Sequence, residues 1–390
     1  MTRTRGRILT VLLCLVALTT AAGAAAAGAM ARTHLQLGIQ DDAVLLPGYF
    51  SYPDATWRGP RLAPARALDE AAALGVSLVK LKAQWSSLER QRGEVDMAYL
   101  SATVDLVRAR GMTVMMLLTG PAPGWANPTG RTSAHRPNPQ AFGRFASAVG
   151  SALAGRVESY AIWNEPNWPS SLRPRGEQAA RYRWLYRRAH AALRAADPGA
   201  RIVFGNLAPM GEPEPAIPPL RFLRGVLCLN ADDRPRRALA CPPLEADGVG
   251  LHPYTLRWAP SYPGRRDDAT TGSLRRFIGQ VDRYAARGVL RSPSGAALPI
   301  DLVEWAFHAR SRRIPEQLRR GHTLAGLSRI CRQPRVRSLI WYQLAGPPPG
   351  KLSWDTGLLT YDGQRRSTFT TLQTHGQTIC PLTPPGGRSP

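Results

Sequence analysis

The chain has 390 residues, 44% hydrophobic and 20% charged, enough apolar material for a large core and too little charge bias for a disordered polymer. Its formal net charge is +24, carried almost wholly by arginine, since lysine occurs only as Lys80, Lys82 and Lys351. The arginines are scattered and form no long basic run or nucleic-acid motif, so nucleic acid is not an expected partner. An anionic cell envelope or an acidic polysaccharide stays compatible with the charge, beside the plainer reading of an arginine-rich composition.

The first segment reads as a leader. Arg3, Arg5 and Arg7 precede an apolar run from Ile8 to Leu18, and an Ala/Gly-rich stretch from Ala21 to Ala31 follows. That order describes a secretory signal peptide over 1–31, with cleavage expected between Ala22 and Ala31. The apolar run falls short of the ~20 residues of a bilayer span, which argues against an uncleaved anchor. Leu13 precedes Cys14 where a lipoprotein signal needs a small residue.

Beyond it, short apolar runs alternate with amphipathic ones. Strands are predicted at Leu35–Ile39, Val76–Leu81, Thr113–Leu118, Val157–Trp163, Arg201–Phe204, Gly248–Leu251, Ile300–Val303 and Ser338–Tyr342. Most lack alternation, as buried parallel strands do. Helices are predicted at Ala65–Leu74, Met97–Arg110, Pro139–Ala154, Gln178–Ala196, Leu220–Val226, Ser273–Arg287, Pro315–Arg332 and Ser367–Leu372. Gly75, Gly111 and Gly288 stand where helices should stop.

Eight strands alternating with eight helices predict an α/β fold, a (β/α)8 TIM barrel forming a single catalytic domain over 33–380. The competing doubly wound sheet usually carries a Gly-rich phosphate turn after its first strand, where this chain has Gln40, Asp41 and Asp42. The segments Gly211–Pro219 and Arg257–Gly272 read as long loops on the functional face, and 381–390 as a Pro/Gly-rich, disordered tail. Without Cys14, four cysteines remain, an even number that suggests disulfides in an exported chain. Three connectivities are open; Cys228–Cys241 with Cys331–Cys380 is the simplest. Their spacing fits no metal site, so neither metal nor cofactor is expected.

The informative stretch is Val157–Trp168, V-E-S-Y-A-I-W-N-E-P-N-W. A buried strand runs into Asn164, Glu165, Pro166 and Asn167, so Glu165 lies at its C-terminal end, the catalytic face of a barrel. With Trp163 and Trp168 beside it, its carboxyl is expected to be partly desolvated and suited to donating a proton. Glu304 closes the seventh predicted strand, at the same end, whereas Asp301 lies at the bottom. By alternation Asp301 shares a face with Val303, opposite Leu302 and Glu304. Two carboxylates at one end of a barrel are what glycosidic cleavage needs, one to protonate the leaving oxygen and one to attack carbon or activate water.

The stretch W-N-E-P-N resembles the fourth-strand signature of the clan A glycoside hydrolases, above all families 39 and 5. The resemblance implies Glu165 as acid/base, Asn164 as a ligand of the sugar 2-hydroxyl, Glu304 as nucleophile, and retention of configuration. Trp85–Glu89 with Gly93, the Pro121–Ala126 loop, Asp247–Tyr254, and Trp341 with Tyr342 are similar to further motifs. They imply His252, Tyr254, Trp341, Trp85, Trp125 and Trp168 as substrate-binding residues, with Tyr254 bonded to the nucleophile and Trp341 with Tyr342 as the aromatic platform under the sugar. Lys80 stands where the family commonly has Arg. Arg175, Arg257, Trp258 and Tyr262 are further candidates for substrate contact. The expected partner is a carbohydrate met outside the cell or at its envelope by a monomer without a membrane span. The alternatives are a barrel that binds carbohydrate without cleaving it, or one that holds envelope partners through its arginines.

Overall fold

The computed structural model describes residues 35–47, 62–211, 216–236, 241–309, 314–348 and 354–382. The expected leader lies outside them, as does the tail from 383 onward. No helix among the described residues is long and apolar enough to cross a membrane.

The expected barrel is present. Its strands are β1 (Gln36–Gln40), β2 (Leu78–Gln84), β3 (Thr113–Thr119), β4 (Ser159–Ile162), β5 (Arg201–Leu207), β6 (Gly248–Leu251), β7 (Ile300–Trp305) and β8 (Val336–Tyr342). They pair in sequence order, all parallel, and β1 closes the sheet against β8. The helices between and after them are α1 (Pro64–Ala73), α2 (Ala98–Arg108), α3 (Pro139–Leu153), α4 (Gln178–Ala196), α5 (Pro219–Val226), α6 (Leu274–Ala286), α7 (Glu316–Cys331) and α8 (Ser367–Ile379). A two-stranded parallel pair, Leu244–Glu245 with Leu290–Arg291, flanks the barrel; two residues per strand are too few to show in sequence.

Two apolar compartments follow from strand alternation. Leu78, Met115, Leu117, Ala161, Val203, Val303 and Ile340 fill the barrel interior. Val79, Met116, Ile162, Phe204 and Leu302 face the helices in the outer core. In α6, Leu274, Phe277, Ile278, Val281 and Tyr284 form the buried stripe, each worth ~1.5–3 kcal/mol of burial. Truncating Phe277 to alanine would cost about 3–5 kcal/mol. The helix ends where Gly288 takes φ 68°, a left-handed turn that glycine adopts without steric cost. At the other end of α3, Asn138 caps the first turn by accepting the Ala141 N–H at 3.0 Å.

The bottom of the barrel is closed by ions. Asp301 is fully buried and accepts from Arg201 at 2.9 Å and Ser338 at 2.9 Å. Both disulfides join neighbours in sequence, Cys228–Cys241 and Cys331–Cys380. The second ties the end of α7 to the end of α8. Of the segment expected as a tail, Pro381 and Leu382 are described and belong to the barrel floor: Leu35 donates its N–H to the Pro381 carbonyl at 3.0 Å and bridges Leu382.

Candidate active site

The C-terminal ends of the strands enclose a cavity of about 420 Å3. Asn164, Glu165, Trp168, Tyr254 and Glu304 line it, so five of the expected site residues meet there, and His252 stands directly behind them. Its Nδ1 lies 2.8 Å from Glu165 Oε1 and 3.6 Å from Glu304 Oε2. One imidazole therefore bridges carboxylates from β7 and from the turn after β4. The two oxygens cannot be farther apart than those distances laid end to end.

Glu165 reaches this place through a strained turn. Trp163 and Glu165 have φ values of 66° and 41°, a region that costs a residue with a Cβ about 1–3 kcal/mol and persists only where neighbours impose it. The neighbour is Asn206, fully buried in β5. Its Nδ2 donates to the Trp163 carbonyl at 2.7 Å, and its own carbonyl accepts the Glu165 N–H at 3.0 Å. Asn206 itself has φ 51°, which asparagine tolerates better than most residues. There β5 carries one more residue than β6, because Phe204 pairs with Val249 but Leu207 with Leu251. Gly250 makes room: a Cβ there would stand 2.2 Å from Asn206 Oδ1. The second asparagine of W-N-E-P-N, Asn167, is structural. Its amide bonds Ala208 and Ile217, fixing the β4 loop to the β5 loop.

Glu304 is turned into the cavity by a second irregularity. Strict alternation, with Val303 inside, would send Glu304 to the helix side. Between Leu302 and Trp305, however, β7 has one residue more than β8, where Leu339 pairs with Leu302 and Trp341 with Trp305. Such a bulge re-aims side chains. Lys80 meets Glu304 from inside the barrel, its Nζ donating to Glu304 Oε1 at 3.2 Å and to the Val303 carbonyl at 3.0 Å. Burial alone would push the Glu304 carboxyl up; the charges of His252 and Lys80, with the Lys80 hydrogen bond, outweigh it and hold the group below the usual glutamate value. Burial lowers the Lys80 ammonium, and Glu304 opposes that shift. Tyr254 is buried facing Glu304, and desolvation, then the nearby carboxylate, push its hydroxyl well above the usual tyrosine value. A hydrogen bond with the Glu304 carboxylate contributes to that rise.

Several other expected residues lie off the cavity wall, Trp341 because of strand alternation. Trp341 stands on β8 with its ring toward the helices, 2% exposed, its Nε1 bonded to the Thr356 carbonyl. Of the expected platform pair, Tyr342 lines the cavity, together with Trp354, an exposed ring set edge-on to Tyr254. Trp85 is fully buried against Phe142 and Phe145. Its indole bonds Glu89 Oε2 at 2.7 Å, while Glu89 Oε1 accepts the Gly93 N–H at 2.9 Å. The W-x-x-L-E-x-x-x-G run thus holds a loop together and lies off the cavity around the carboxylates. Trp125 packs on Trp85 and bonds the Glu89 carbonyl, outside the cavity wall. Trp163, expected beside the Glu165 carboxyl, faces Phe142 on the helix side; of that pair only Trp168 lines the cavity. Arg175, Arg257, Trp258 and Tyr262 lie outside it, Trp258 and Tyr262 being stacked on each other.

Sequence reasoning missed part of the wall. Gln40, Asp42 and Lys82 border the cavity, with Lys82 paired to Asp42 at 2.6 Å. The signal was legible only as Gln40, Asp41 and Asp42 ending the first strand, and as Lys80 and Lys82 sharing one face of the second. On the cavity wall Gln40 Oε1 and Asn164 Oδ1, and behind it His252 Nε2, are buried without a protein partner. Buried polar atoms are normally paired, so orphans on the wall suit a ligand rich in hydroxyls. Among the described residues no cluster could hold a metal ion.

No protein-family model matches the chain, and no curated protein matches it in sequence. Solved structures do match its fold. A family 39 glycoside hydrolase from the gut symbiont Bacteroides cellulosilyticus WH2 superposes with TM-score 0.64 at 15% identity, over 90% of this chain and 65% of that one. This chain therefore spans just under two thirds of that protein's length. A family 39 β-xylosidase from Caulobacter crescentus gives 0.58 at 16% identity, over 89% of this chain and 72% of that one. A family 5 protein from Streptomyces cattleya, solved with GlcNAc, gives 0.57 at 17% identity, over 81% and 74%. The chain thus shares a barrel fold with these glycoside hydrolases.

Proposed function

We propose that the protein is a retaining glycoside hydrolase, with Glu165 as acid/base and Glu304 as nucleophile, in a single catalytic domain. The observation that carries this reading is the shared imidazole. It brings one oxygen of each carboxylate to 2.8 and 3.6 Å from a single nitrogen, close enough to suit the ~5–5.5 Å carboxyl separation of retaining enzymes. The fold shared with glycoside hydrolases supports the same reading.

Glu304, kept ionised by Lys80 and His252, attacks the anomeric carbon while Glu165 protonates the departing oxygen. A glycosyl ester on Glu304 results. Glu165, now a base, takes a proton from water, which attacks the same carbon and frees Glu304. Asn164, on the turn with Glu165, offers its unpartnered Oδ1 to a sugar hydroxyl, and Trp168, Tyr342 and Trp354 supply ring faces. The basic, apolar, small-residue leader and the two disulfides support export to the cell envelope or beyond it.

The test is hydrolysis of a panel of aryl glycosides and polysaccharides by the wild type and by Glu304→Gln, with the anomer of the first product followed by proton NMR. Turnover with retained configuration, lost in the variant, is expected. An inverted first product would end the retaining mechanism; equal turnover by the variant would end the role of Glu304 and favour a barrel that binds without cleaving.

A further inference from the structure

The cavity around the carboxylates does not stop at Asn164. Beyond it a second hollow of about 410 Å3 opens between the ends of β2, β3 and β4, within the range of small-ligand sites. Lys82 and Asn164 line both spaces, so a chain of sugars could run from one into the other.

The two walls differ in chemistry. The first cavity carries three carboxylates, Asp42, Glu165 and Glu304, and several aromatic rings. The lining of the second includes no acid and no aromatic ring. It offers hydroxyls such as Thr119, Thr132 and Ser133, the Gln84 amide, and two cations, Lys82 and Arg173. Without a ring to stack on, recognition there falls to hydrogen bonds and charge.

The charge is positive. Lys82 is paired with Asp42, which borders only the first cavity. Arg173 is held by one side-chain hydrogen bond, from Nε to the Pro169 carbonyl at 2.8 Å, and no carboxylate among the described residues pairs with it. Its backbone is fixed all the same: its N–H donates to the Ala134 carbonyl and its carbonyl accepts from Arg136, each at 2.9 Å. One residue before Ala134, Ser133 exchanges two backbone hydrogen bonds with Ala122, at 2.9 and 3.0 Å. The hollow is a preformed one, which lowers the ordering cost of binding.

We propose that this hollow is a second saccharide subsite that takes a sugar unit bearing an anionic substituent, a carboxylate or a sulfate, with Arg173 as the residue that discriminates it from a neutral unit. A guanidinium suits both groups because its planar fork matches their oxygens. The proposal rests on the glycoside hydrolase reading, since it sets the anionic unit beside the one held at Glu165 and Glu304.

The test is calorimetric titration of the full-length protein with three probes of one backbone: xylotetraose, xylotriose bearing one glucuronate, and O-sulfated xylotetraose. The two anionic probes separate carboxylate from sulfate recognition. At least one is expected to bind about tenfold more tightly than xylotetraose, with the advantage fading in high salt, lost in Arg173→Gln and reduced but not abolished in Arg173→Lys, which keeps the charge without the fork. Circular dichroism checks that both variants are folded. Equal binding of all three probes, no binding of the anionic ones, or a preference that survives Arg173→Gln overturns the subsite. An aryl monosaccharide assay, which needs only the first cavity, separates the two readings: turnover unchanged in Arg173→Gln leaves the hydrolase standing whatever the titrations give, whereas a dead wild type sinks the hydrolase and leaves the binding data to judge the hollow alone.

Discussion

The carbonyl of Asn206 accepts the Glu165 N–H at 3.0 Å while the Asn206 amide holds the Trp163 carbonyl at 2.7 Å. One buried residue of β5 thus braces the strained turn from both sides, through its backbone carbonyl and its side-chain amide. Asn206→Ala removes the second bond and places a residue poorly suited to φ 51° there. The expected result is a fall of about 10–100-fold in kcat with KM nearly unchanged, because the acid is misplaced and the sugar pocket is not. A purely structural role would instead lower Tm and leave the kcat of the folded fraction intact.

Removal of the nucleophile should be far more severe. Glu304→Ala is expected to lower kcat by at least ~10^4-fold, and Glu165→Ala by ~10^2–10^4-fold with a smaller loss on substrates whose leaving group needs no proton. Added azide should restore turnover of activated aryl glycosides in both. An unaltered rate in either variant would remove that residue from the mechanism.

The acid limb of the pH profile follows from Glu304. Its carboxyl lies below the usual glutamate value in the folded chain, so its stabilising contribution is present above the unfolded pKa and is lost as pH falls through the folded one. Activity on the acid side should persist below the ordinary glutamate range. Lys80→Met removes a cation that offsets burial, so the acid limb of kcat/KM should move to higher pH. A limb that stays put would mean Lys80 does not set the ionisation.

Asp301 and Glu304 share one strand but should separate cleanly in experiment. Asp301→Ala leaves the Arg201 charge at the barrel floor without its buried partner, and breaking such a pair costs about 3–5 kcal/mol. Chemical denaturation should register that loss while the folded variant keeps its kcat.

The Cys331–Cys380 bridge closes a segment with a sequence separation of 49. By loop-closure entropy its removal in Cys380→Ser should cost about 4 kcal/mol. Denaturant titration with and without reductant checks this, and a wild type indifferent to reductant would contradict it.

Local sequence determined the order of elements, the helix stops, the barrel and the two glutamates at its rim, because periodicity, glycine placement and strand-end position are short-range properties. It also paired the cysteines by the simplest connectivity. Which side chains enter the cavity was decided by tertiary structure. Trp341 and Tyr342 are adjacent and both aromatic, yet opposite faces of β8 send one to the helices and the other to the cavity. Glu304 would have faced away had β7 not gained a residue against β8, and the extra residue of β5 against β6 places Asn206 under Glu165. A register shift exists only between paired strands, so no single segment of the chain can encode it legibly.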